Sequence, residues 1–314
     1  MPARPQVATP PRIVSAASIS WSKRKSLSER DVASPEDLAA RLERQLYLAG
    51  EELATAAFLA LGLGKPLLLE GLPGVGKTEA AKALAAGLGL ELIRLQCYEG
   101  IDAGHALYEW NYARQLLSLR RDSATDLYAD EFLIERPLLK ALKAPDRSLL
   151  LIDEIDRADH EFEAFLLEFL SDFQISIPER GTLKAASPPV VILTSNRTRE
   201  LHEALRRRCV YSWIAYPEPE REARIIMLRT PELAEATARA VVAAVNGLRR
   251  LPLAKAPGIS EAVEWAKAAQ MLEAGSGRWP EAFRRAIGVA LKDEEDMTLA
   301  REGLDELLNK ACAS

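Results

Sequence analysis

The sequence predicts an α/β fold in which a five-stranded parallel sheet lies between helices, with a small all-α domain after it. Short runs of apolar and β-branched residues alternate with helical patterns between residues 66 and 214. Such continuous apolar strands are typical of a parallel sheet that is covered on both faces. Strand signals stop after Tyr216, where Pro217 and Pro219 interrupt the chain and only helical patterns follow. A chain of 314 residues is long enough to bury two cores.

The first helices precede the sheet. Ser34 is a typical helix N-cap, and Pro35 suits the first helical position, so a helix is expected through Arg44. A second apolar helix is expected over about Glu51 to Leu61. The five predicted strands are Pro66–Glu70, Leu92–Gln96, Leu149–Ile152, Val190–Thr194 and Val210–Ile214. The predicted helices of the second domain are Glu220–Leu228, Pro231–Leu248, Ser260–Glu273, Pro280–Lys292 and Met297–Ala311.

Residues 1–34 are predicted to be a disordered basic tail. The segment is rich in Pro, Ser and Ala and has no acidic residue before Glu29, so it would bury little apolar surface. A basic docking arm for a partner or an anionic surface is the functional alternative. The rest divides into a predicted α/β domain over residues 35–216 and a helical domain over residues 217–314.

Composition narrows the class of protein. Apolar residues make up 48% and charged residues 28% of the chain, as in an ordinary globular protein. The net charge of −5 lowers the expectation of nucleic-acid binding, which usually needs a basic face. Three scattered cysteines do not suit a disulfide framework or a zinc site. Since no segment has the length of a transmembrane helix and no secretory signal is recognised, a cytoplasmic protein is expected.

The strongest motif is a glycine-rich loop between the first predicted strand and a helix. It reads Gly71, Leu72, Pro73, Gly74, Val75, Gly76, Lys77 and Thr78. This spacing matches the phosphate-binding loop, whose backbone N–H groups and helix N-terminus face phosphate oxygens. Lys77 would reach the β- and γ-phosphates of ATP, and Thr78 would offer its hydroxyl to Mg²⁺. The alternative is a strand-to-helix turn without a ligand.

A second motif places two carboxylates at the end of an apolar strand. Asp153 and Glu154 follow Leu149–Ile152, and burying them without a cation or a chemical role would be costly. Asp153 fits a magnesium ligand, and Glu154 would polarise the attacking water. Small-molecule kinases often lack such a glutamate, so the pair favours hydrolysis over phosphoryl transfer. The alternative is an exposed acidic strand end.

Over residues 40 to 295 the sequence resembles the AAA+ ATPases of the MoxR type. One carrier is the strand Val190–Thr194, which is followed by Ser195 and Asn196. The resemblance implies an AAA+ P-loop fold in which this strand lies between the phosphate-loop strand and the acidic strand. Asn196 would then be the sensor 1 residue that orients the attacking water. A turn-forming role for Asn196 is the alternative.

Two further segments support the resemblance. Glu203–Cys209 resembles the segment that carries the arginine finger, with Arg208 as the matching residue and Arg207 as the fallback. The alternative is a basic helix end that complements the helix dipole. Residues 173–183 alternate on both sides of a Pro-Glu-Arg-Gly turn, which predicts a hairpin. The resemblance implies that it is the pre-sensor hairpin of the helix-2-insert and MoxR groups, which faces the ring pore.

The finer resemblance is to CoxD-like members of the MoxR group. Residues 97–102, 106–112, 153–158 and 255–258 carry it, with Glu261 and Trp265 following. It implies a ring homo-oligomer, expected to be a hexamer, that acts as a remodelling chaperone with a von Willebrand factor A-domain partner. The implied client is a metalloenzyme such as a molybdenum–copper carbon monoxide dehydrogenase.

The second domain resembles the AAA+ lid, which supplies a sensor 2 arginine. Arg278 is the nearest match, with Arg284 or Arg285 as alternatives, and a solvated helix-start arginine remains the other interpretation. Tyr108, Trp110 and Tyr112 lie near the expected pore segment. Core packing is favoured for these aromatics over gripping a client, and on a helix Tyr108 and Tyr112 would share a face while Trp110 would not. Rival functions are a DNA motor or loader, a P-loop kinase and a non-hydrolysing nucleotide-gated scaffold.

Overall fold

The computed structural model describes residues 32–121, 126–273, 279–301 and 303. The predicted tail lies outside these residues, except for its last three positions. Arg278, the nearest sensor 2 match, also lies outside them. The described residues belong to one compact unit, and the proposed division at residues 216 and 217 stays a prediction.

The described strands include all of those that were predicted, with small shifts at their ends, and two that were not, β3 and β4. They are β1 (Leu67–Gly71), β2 (Glu91–Gln96), β3 (Tyr108–Trp110), β4 (Leu133–Glu135), β5 (Ser148–Asp153), β6 (Gln174–Ile177), β7 (Gly181–Lys184), β8 (Val190–Ser195) and β9 (Val210–Ile214). Every residue of β1 and β5 is buried, as expected for strands covered on both faces.

Five parallel strands form the central sheet, in the order β2-β5-β8-β1-β9. Strand β8 therefore lies between the phosphate-loop strand β1 and the acidic strand β5, as predicted. Its register places Leu193 opposite Ile152 on one side and Leu68 on the other. The carboxyl ends of β1, β5 and β8 meet at one edge, where open α/β sheets bind ligands.

Helices cover both faces of this sheet. They are α1 (Pro35–Arg44), α2 (Glu51–Leu63), α3 (Lys77–Gly87), α4 (Ala103–Ala106), α5 (Tyr112–Arg121), α6 (Pro137–Lys143), α7 (His160–Asp172) and α8 (Glu203–Arg208). Ser34 caps α1 as predicted, its hydroxyl accepting the Asp37 N–H at 3.2 Å. One apolar cluster lies between the sheet and α1 to α3, and another lies on the opposite face, with α6 and α7.

The helices after β9 build a separate core. They are α9 (Pro219–Arg229), α10 (Glu235–Arg249), α11 (Ile259–Glu273), α12 (Trp279–Arg285) and α13 (Ile287–Ala290), and residues 294–301 are also helical. Trp265 is fully buried in this core, where its ring packs edge-on against that of Phe283 with the two ring centroids 5.1 Å apart. The indole N–H donates to the Phe283 carbonyl at 3.0 Å, which satisfies its only polar group.

Three element predictions need correction. The helix expected from Pro231 begins at Glu235, since Thr230 and Leu233 form a turn in which the Leu233 N–H donates to the Thr230 carbonyl. The helix expected over Pro280–Lys292 is broken at Ala286 into α12 and α13. Tyr108, Trp110 and Tyr112 do not share a helix, because the first two belong to β3 and the third begins α5. Helical periodicity therefore does not apply to these aromatics.

Candidate functional site

The predicted phosphate loop joins β1 to α3 at the carboxyl edge of the sheet. Gly76 caps α3 with φ of 94°, a left-handed conformation that favours glycine. Gly71 is needed for a different reason. A Cβ atom there would lie 2.2 Å from the Ile214 carbonyl oxygen on β9, a contact that backbone atoms cannot relieve. Glycines at both positions allow the loop to turn tightly against the sheet.

Lys77 begins α3 and folds its side chain back into the loop. Its Nζ donates to the carbonyl oxygens of Gly71 and Leu72, both at 2.8 Å. Burial lowers the pKa of this ammonium, while the carboxylates of Asp156 and Asp153 act in the opposite direction. The buried charge thus has backbone partners that phosphate oxygens would replace.

Asp153 ends β5 and is buried next to the start of α3. The Thr78 hydroxyl donates to its carboxylate oxygens at 3.1 and 3.3 Å. The hydroxyl of Thr194 on β8 also donates to this carboxylate. Two elements far apart in the chain therefore bring the predicted metal ligands together.

These groups suit magnesium, since Mg²⁺ prefers oxygen ligands and is usually held by one or two protein groups, with phosphates and waters completing the octahedron. The carboxylate of Asp153 and the hydroxyl of Thr78 are such ligands. Within the described ranges, no group of three or more His, Cys, Asp or Glu side chains forms a metal cage. A site completed by a nucleotide is therefore the metal site that these residues fit.

Glu154 follows Asp153 in a left-handed conformation with φ of 56°. Its N–H donates to the Thr194 hydroxyl at 2.9 Å, which fixes this turn against β8. The side-chain oxygen Oε2 accepts hydrogen bonds from Gln96 Nε2 and Arg157 Nη1, each at 3.1 Å. The carboxylate is therefore held by two neighbouring donors.

The sequence reasoning missed Gln96 and Arg94 on β2, and Thr194 on β8. Arg94 donates to Asp153 Oδ2 from Nε at 2.9 Å and from Nη2 at 2.6 Å. A signal was present, because Arg94 and Gln96 are polar residues two positions apart on a strand that was otherwise predicted as apolar. Residues at that spacing share a face of the strand.

Asn196 follows β8 and lies at the same edge as Glu154. Its N–H donates at 3.2 Å to Oδ2 of Asp156, which also accepts the Thr198 N–H at 2.9 Å. Asp156 is only 2% exposed, so this carboxylate anchors the turn that carries Asn196. The structure thus brings Asn196 to the strand next to Asp153 and Glu154.

The part of the chain that follows β9 contacts the phosphate loop directly. The Ile259 N–H donates to the Gly74 carbonyl at 2.9 Å, and the Tyr216 hydroxyl donates to the Pro73 carbonyl at 3.1 Å. Gly258 and Gly74 pack backbone to backbone, so that a Cβ on Gly258 would lie 2.6 Å from Gly74 Cα. The Glu261 carboxylate accepts the Gly258 N–H at 3.1 Å and holds this turn at the start of α11.

Residues 67–214 match the family model described as the ATPase family associated with various cellular activities (AAA). These residues form an AAA ATPase domain. The match begins at β1 and ends at β9, so it contains every strand of the central sheet and the loop at Lys77. The fold prediction of an AAA+ P-loop domain is thereby confirmed.

Relatives of this AAA domain include two curated proteins. The chain is 30% identical over 189 residues to Chaperone MoxR1 of Mycobacterium tuberculosis, a match that covers 58% of this chain and 45% of that protein. It is 27% identical over 183 residues to the uncharacterized protein SH1500 of Staphylococcus haemolyticus, covering 56% and 65% of the two chains. The chain therefore spans about half to two thirds of the length of the curated relatives it matches.

A solved structure shares the fold of the AAA domain and the helices after it. A mutant of Thermotoga maritima RuvB superposes with a TM-score of 0.50 at 17% identity, covering 84% of this chain and 74% of that one. At this identity the likeness concerns the fold alone. In the described residues, none of the helices is both long enough and apolar enough to cross a membrane.

The predicted arginine segment of the AAA domain forms α8 and its end. Arg208 is exposed, with Nε donating to Ser171 Oγ at 2.8 Å and Nη1 to the Ala204 carbonyl at 3.0 Å. Arg207 pairs with Glu203 on the same helix. Both partners of Arg208 belong to α7 and α8, away from the phosphate loop. Within one chain, Arg208 is thus a surface group.

The predicted hairpin of the AAA domain is present, with β6 and β7 antiparallel and Ile177 opposite Gly181. Of the neighbouring aromatics, Trp110 is buried and only 6% exposed, whereas Tyr112 is 66% exposed. The sensor 2 alternatives Arg284 and Arg285 lie in the last turn of α12. The sensor 2 residue was expected at the start of a late helix, so the assignment of this role stays a prediction.

Proposed function

We propose that this chain is a magnesium-dependent ATPase of the AAA+ type that works in an oligomer. The observation that carries the proposal is the meeting of Thr78 with Asp153 at 3.1 Å, at the strand edge that also bears Glu154. A phosphate loop, a metal-ligand pair and an adjacent glutamate are the parts that ATP hydrolysis requires. The AAA domain match supports the same activity.

In this proposal the loop from Gly71 to Thr78 binds the phosphates of ATP through its backbone N–H groups. Lys77 exchanges its two carbonyl partners for β- and γ-phosphate oxygens, since a charge-assisted bond to phosphate is the stronger one. Thr78 and Asp153 would hold Mg²⁺, which when bound neutralises charge on the phosphates.

Two of the remaining roles belong to groups at the ends of β5 and β8, and a third belongs to a neighbouring chain. Glu154 accepts a proton from the attacking water as a general base. Asn196 follows the strand beside it and orients that water. Both groups lie at the carboxyl edge of the sheet, next to the loop that would present the γ-phosphate. The neighbouring chain supplies Arg208, whose guanidinium stabilises charge on the transferred phosphoryl group.

An active site that needs a residue from a neighbouring chain requires assembly. The surface carrying Arg208 and the surface carrying the phosphate loop are different, so the contact between copies is heterologous and repeats head to tail. A closed ring, expected to be a hexamer, follows when that repetition closes. Arg278 of the lid is retained as the proposed sensor 2 residue, with Arg284 and Arg285 as alternatives.

The proposed cellular role is that of a MoxR-type remodelling chaperone, which changes the shape of a client protein during hydrolysis. The 30% identity to Chaperone MoxR1 supports this role, as do the quoted MoxR-type residues around Glu154 and Gly258. The proposed partners are a von Willebrand factor A-domain protein and a client metalloenzyme of the molybdenum–copper carbon monoxide dehydrogenase type. The fold shared with RuvB does not favour a DNA motor, since fold likeness alone does not carry activity.

Phosphate release from ATP tests the proposed activity. We expect Lys77→Ala to lose ATP binding and hydrolysis, because the buried ammonium contacts the phosphates. Glu154→Gln should keep ATP binding and lose hydrolysis by a factor of about 10² to 10⁴, the usual contribution of a general base. Lys82→Ala is the matched control, since this lysine is exposed on the same helix and pairs with Glu79.

An unchanged rate in Lys77→Ala would contradict the proposed phosphate site. Hydrolysis that survives in Glu154→Gln would leave the phosphate site standing and remove Glu154 from the role of general base. Nucleotide binding without any phosphate release by the wild-type chain would instead indicate a nucleotide-gated scaffold.

A further inference from the structure

Arg94 neutralises the buried carboxylate that was assigned to magnesium. The side chain of Asp153 is 2% exposed, and a buried charge of this kind requires a partner of opposite charge. Arg94 provides it through two bonds to Oδ2, with Nη2 at 2.6 Å and Nε at 2.9 Å. Thr78 and Thr194 contact the same carboxylate but carry no charge.

The same guanidinium is connected to Glu154, the residue after the metal ligand, through the side chain of Gln96. Arg94 Nη2 donates to Gln96 Oε1, and Gln96 Nε2 donates to Glu154 Oε2 at 3.1 Å. Strand register explains the arrangement, because Gln96 lies directly opposite Asp153 and Arg94 precedes it by two residues on the same face. An unbroken set of hydrogen bonds thus runs from Asp153 through Arg94 and Gln96 to Glu154.

Arg94 and a magnesium ion would compete for Asp153. Both bind the carboxylate, and two positive groups that share one anion repel each other. The Arg94 side chain is 48% exposed, so its guanidinium can move into water at low cost. The exchange leaves no buried charge uncompensated, because Mg²⁺ would replace Arg94 as the positive partner of Asp153.

We propose that Arg94 is a positioning residue that holds Asp153 in the absence of magnesium and is displaced from it when the metal binds. When Mg²⁺ binds with the nucleotide, Arg94 leaves Asp153 and no longer fixes Gln96. This inference rests on the proposed ATPase function and adds the order of events at its metal site.

The first test is metal affinity measured without hydrolysis. Mn²⁺ binding to the ADP complex is followed by electron paramagnetic resonance for the wild-type chain, Arg94→Gln and Arg94→Lys. We expect the Mn²⁺ dissociation constant to fall about threefold in Arg94→Gln, the size of one partly exposed ion pair. Arg94→Lys keeps a charge and should lie between the two. Arg239→Gln, which removes an exposed ion pair on α10, is the matched control and should not differ from wild type.

The direction of the change separates this inference from a structural role. If Arg94 only supported the fold of the site, its loss would weaken metal binding. An unchanged or larger dissociation constant in Arg94→Gln therefore overturns the inference. If the wild-type chain binds neither ADP nor ATP, the proposed function fails and the inference falls with it, whereas normal binding without tightening in Arg94→Gln removes the inference alone.

The second test asks whether Gln96 helps to hold Arg94 on Asp153. The half-saturating Mg²⁺ concentration for ATP hydrolysis is compared in Arg94→Gln, Gln96→Leu and the double variant. Because Gln96 helps to hold Arg94, the change produced by Arg94→Gln should be smaller in the Gln96→Leu background than in wild type. Independent, additive changes would show that the two residues do not act together and would remove Gln96 from this role.

Discussion

At the residue scale, Glu222 and Arg249 show how a buried charge among the helices after β9 is stabilised. Two parallel bonds of 2.7 and 2.8 Å join them, and their side chains are 0% and 10% exposed. Arg249 also donates to the Pro257 carbonyl at 2.9 Å, and its guanidinium carbon lies 4.0 Å from the ring centroid of Tyr216. One arginine thus connects α9 and α10 to the turn that contacts the phosphate loop.

We expect Glu222→Gln to lower the free energy of unfolding by about 3 kcal/mol, because it leaves the Arg249 charge buried without its counter-ion. Urea denaturation measures the change. Glu235→Gln removes a carboxylate from an exposed pair with Arg239 and is the control, with an expected loss of at most about 0.5 kcal/mol. Equal losses in the free energy of unfolding for Glu222→Gln and Glu235→Gln would contradict the claim that burial makes the Glu222–Arg249 pair important for stability.

Burial also lowers the reactivity of two cysteines, Cys97 and Cys209. Burial raises the pKa of the Cys97 thiol to about 12 and that of the Cys209 thiol to about 12. Thiolates are the reactive form, so these cysteines are not suited to redox or nucleophilic chemistry near neutral pH.

At the element scale, the contact between the phosphate loop and α11 couples two regions that the sequence describes separately. The turn at Gly258 and the loop at Gly74 approach closely because neither residue has a side chain. A direct backbone bond, from Ile259 N–H to the Gly74 carbonyl, completes the contact. Movement of the loop on nucleotide binding would therefore be felt at the start of α11.

Gly258→Ala should weaken ATP binding by about tenfold, since its Cβ would lie 2.6 Å from Gly74 Cα and 2.8 Å from the Gly74 carbonyl oxygen. Neither atom can move without displacing the loop. Isothermal titration with a non-hydrolysable ATP analogue measures the loss. Gly62→Ala is the control, because its Cβ would meet nothing within 4 Å and alanine favours the helix. Equal affinities of Gly258→Ala and Gly62→Ala for the ATP analogue would contradict a functional contact between the phosphate loop and the start of α11.

At the scale of the whole molecule, the proposed active site is divided between two surfaces. The phosphate loop, Asp153 and Glu154 lie at the carboxyl edge of the sheet, while Arg208 is exposed at the end of α8 and donates hydrogen bonds to α7 and α8. A single chain therefore provides the two halves in different places. Assembly would unite them between neighbouring copies.

Mixing two inactive variants tests this arrangement. Lys77→Ala keeps its finger and lacks the phosphate contact, whereas Arg208→Ala binds ATP and lacks the finger. Each should be nearly inactive alone, since a finger contributes roughly 10³ to 10⁵ in rate. Activity that returns in the mixture would show that Arg208 acts across an interface. A mixture that co-assembles by size-exclusion chromatography and stays inactive would reassign the role, and the same mixing with Arg207→Ala tests the fallback.

Local sequence patterns were sufficient to predict much of this protein. The spacing from Gly71 to Thr78 and the apolar strand before Asp153 predicted the loop and the acidic strand, because backbone geometry and strand burial depend on neighbouring residues. The position of β8 between the phosphate-loop strand and the acidic strand was predicted from the resemblance and is confirmed by the sheet. The helix ends were less accurate, as Ala286 shows, since packing decides where a helical pattern breaks.

Contacts between distant segments were decided only by the tertiary structure. Arg94 and Asp153 are 59 positions apart and meet because β2 pairs with β5. Gly258 reaches Gly74 because the turn before α11 packs against the phosphate loop, and Trp110 belongs to a strand, β3, that pairs with β4 rather than to a helix. Sequence alone determined which groups can bind a phosphate and a metal ion. The fold determined which charge neutralises each of them, since burial and pairing depend on segments that local patterns do not connect.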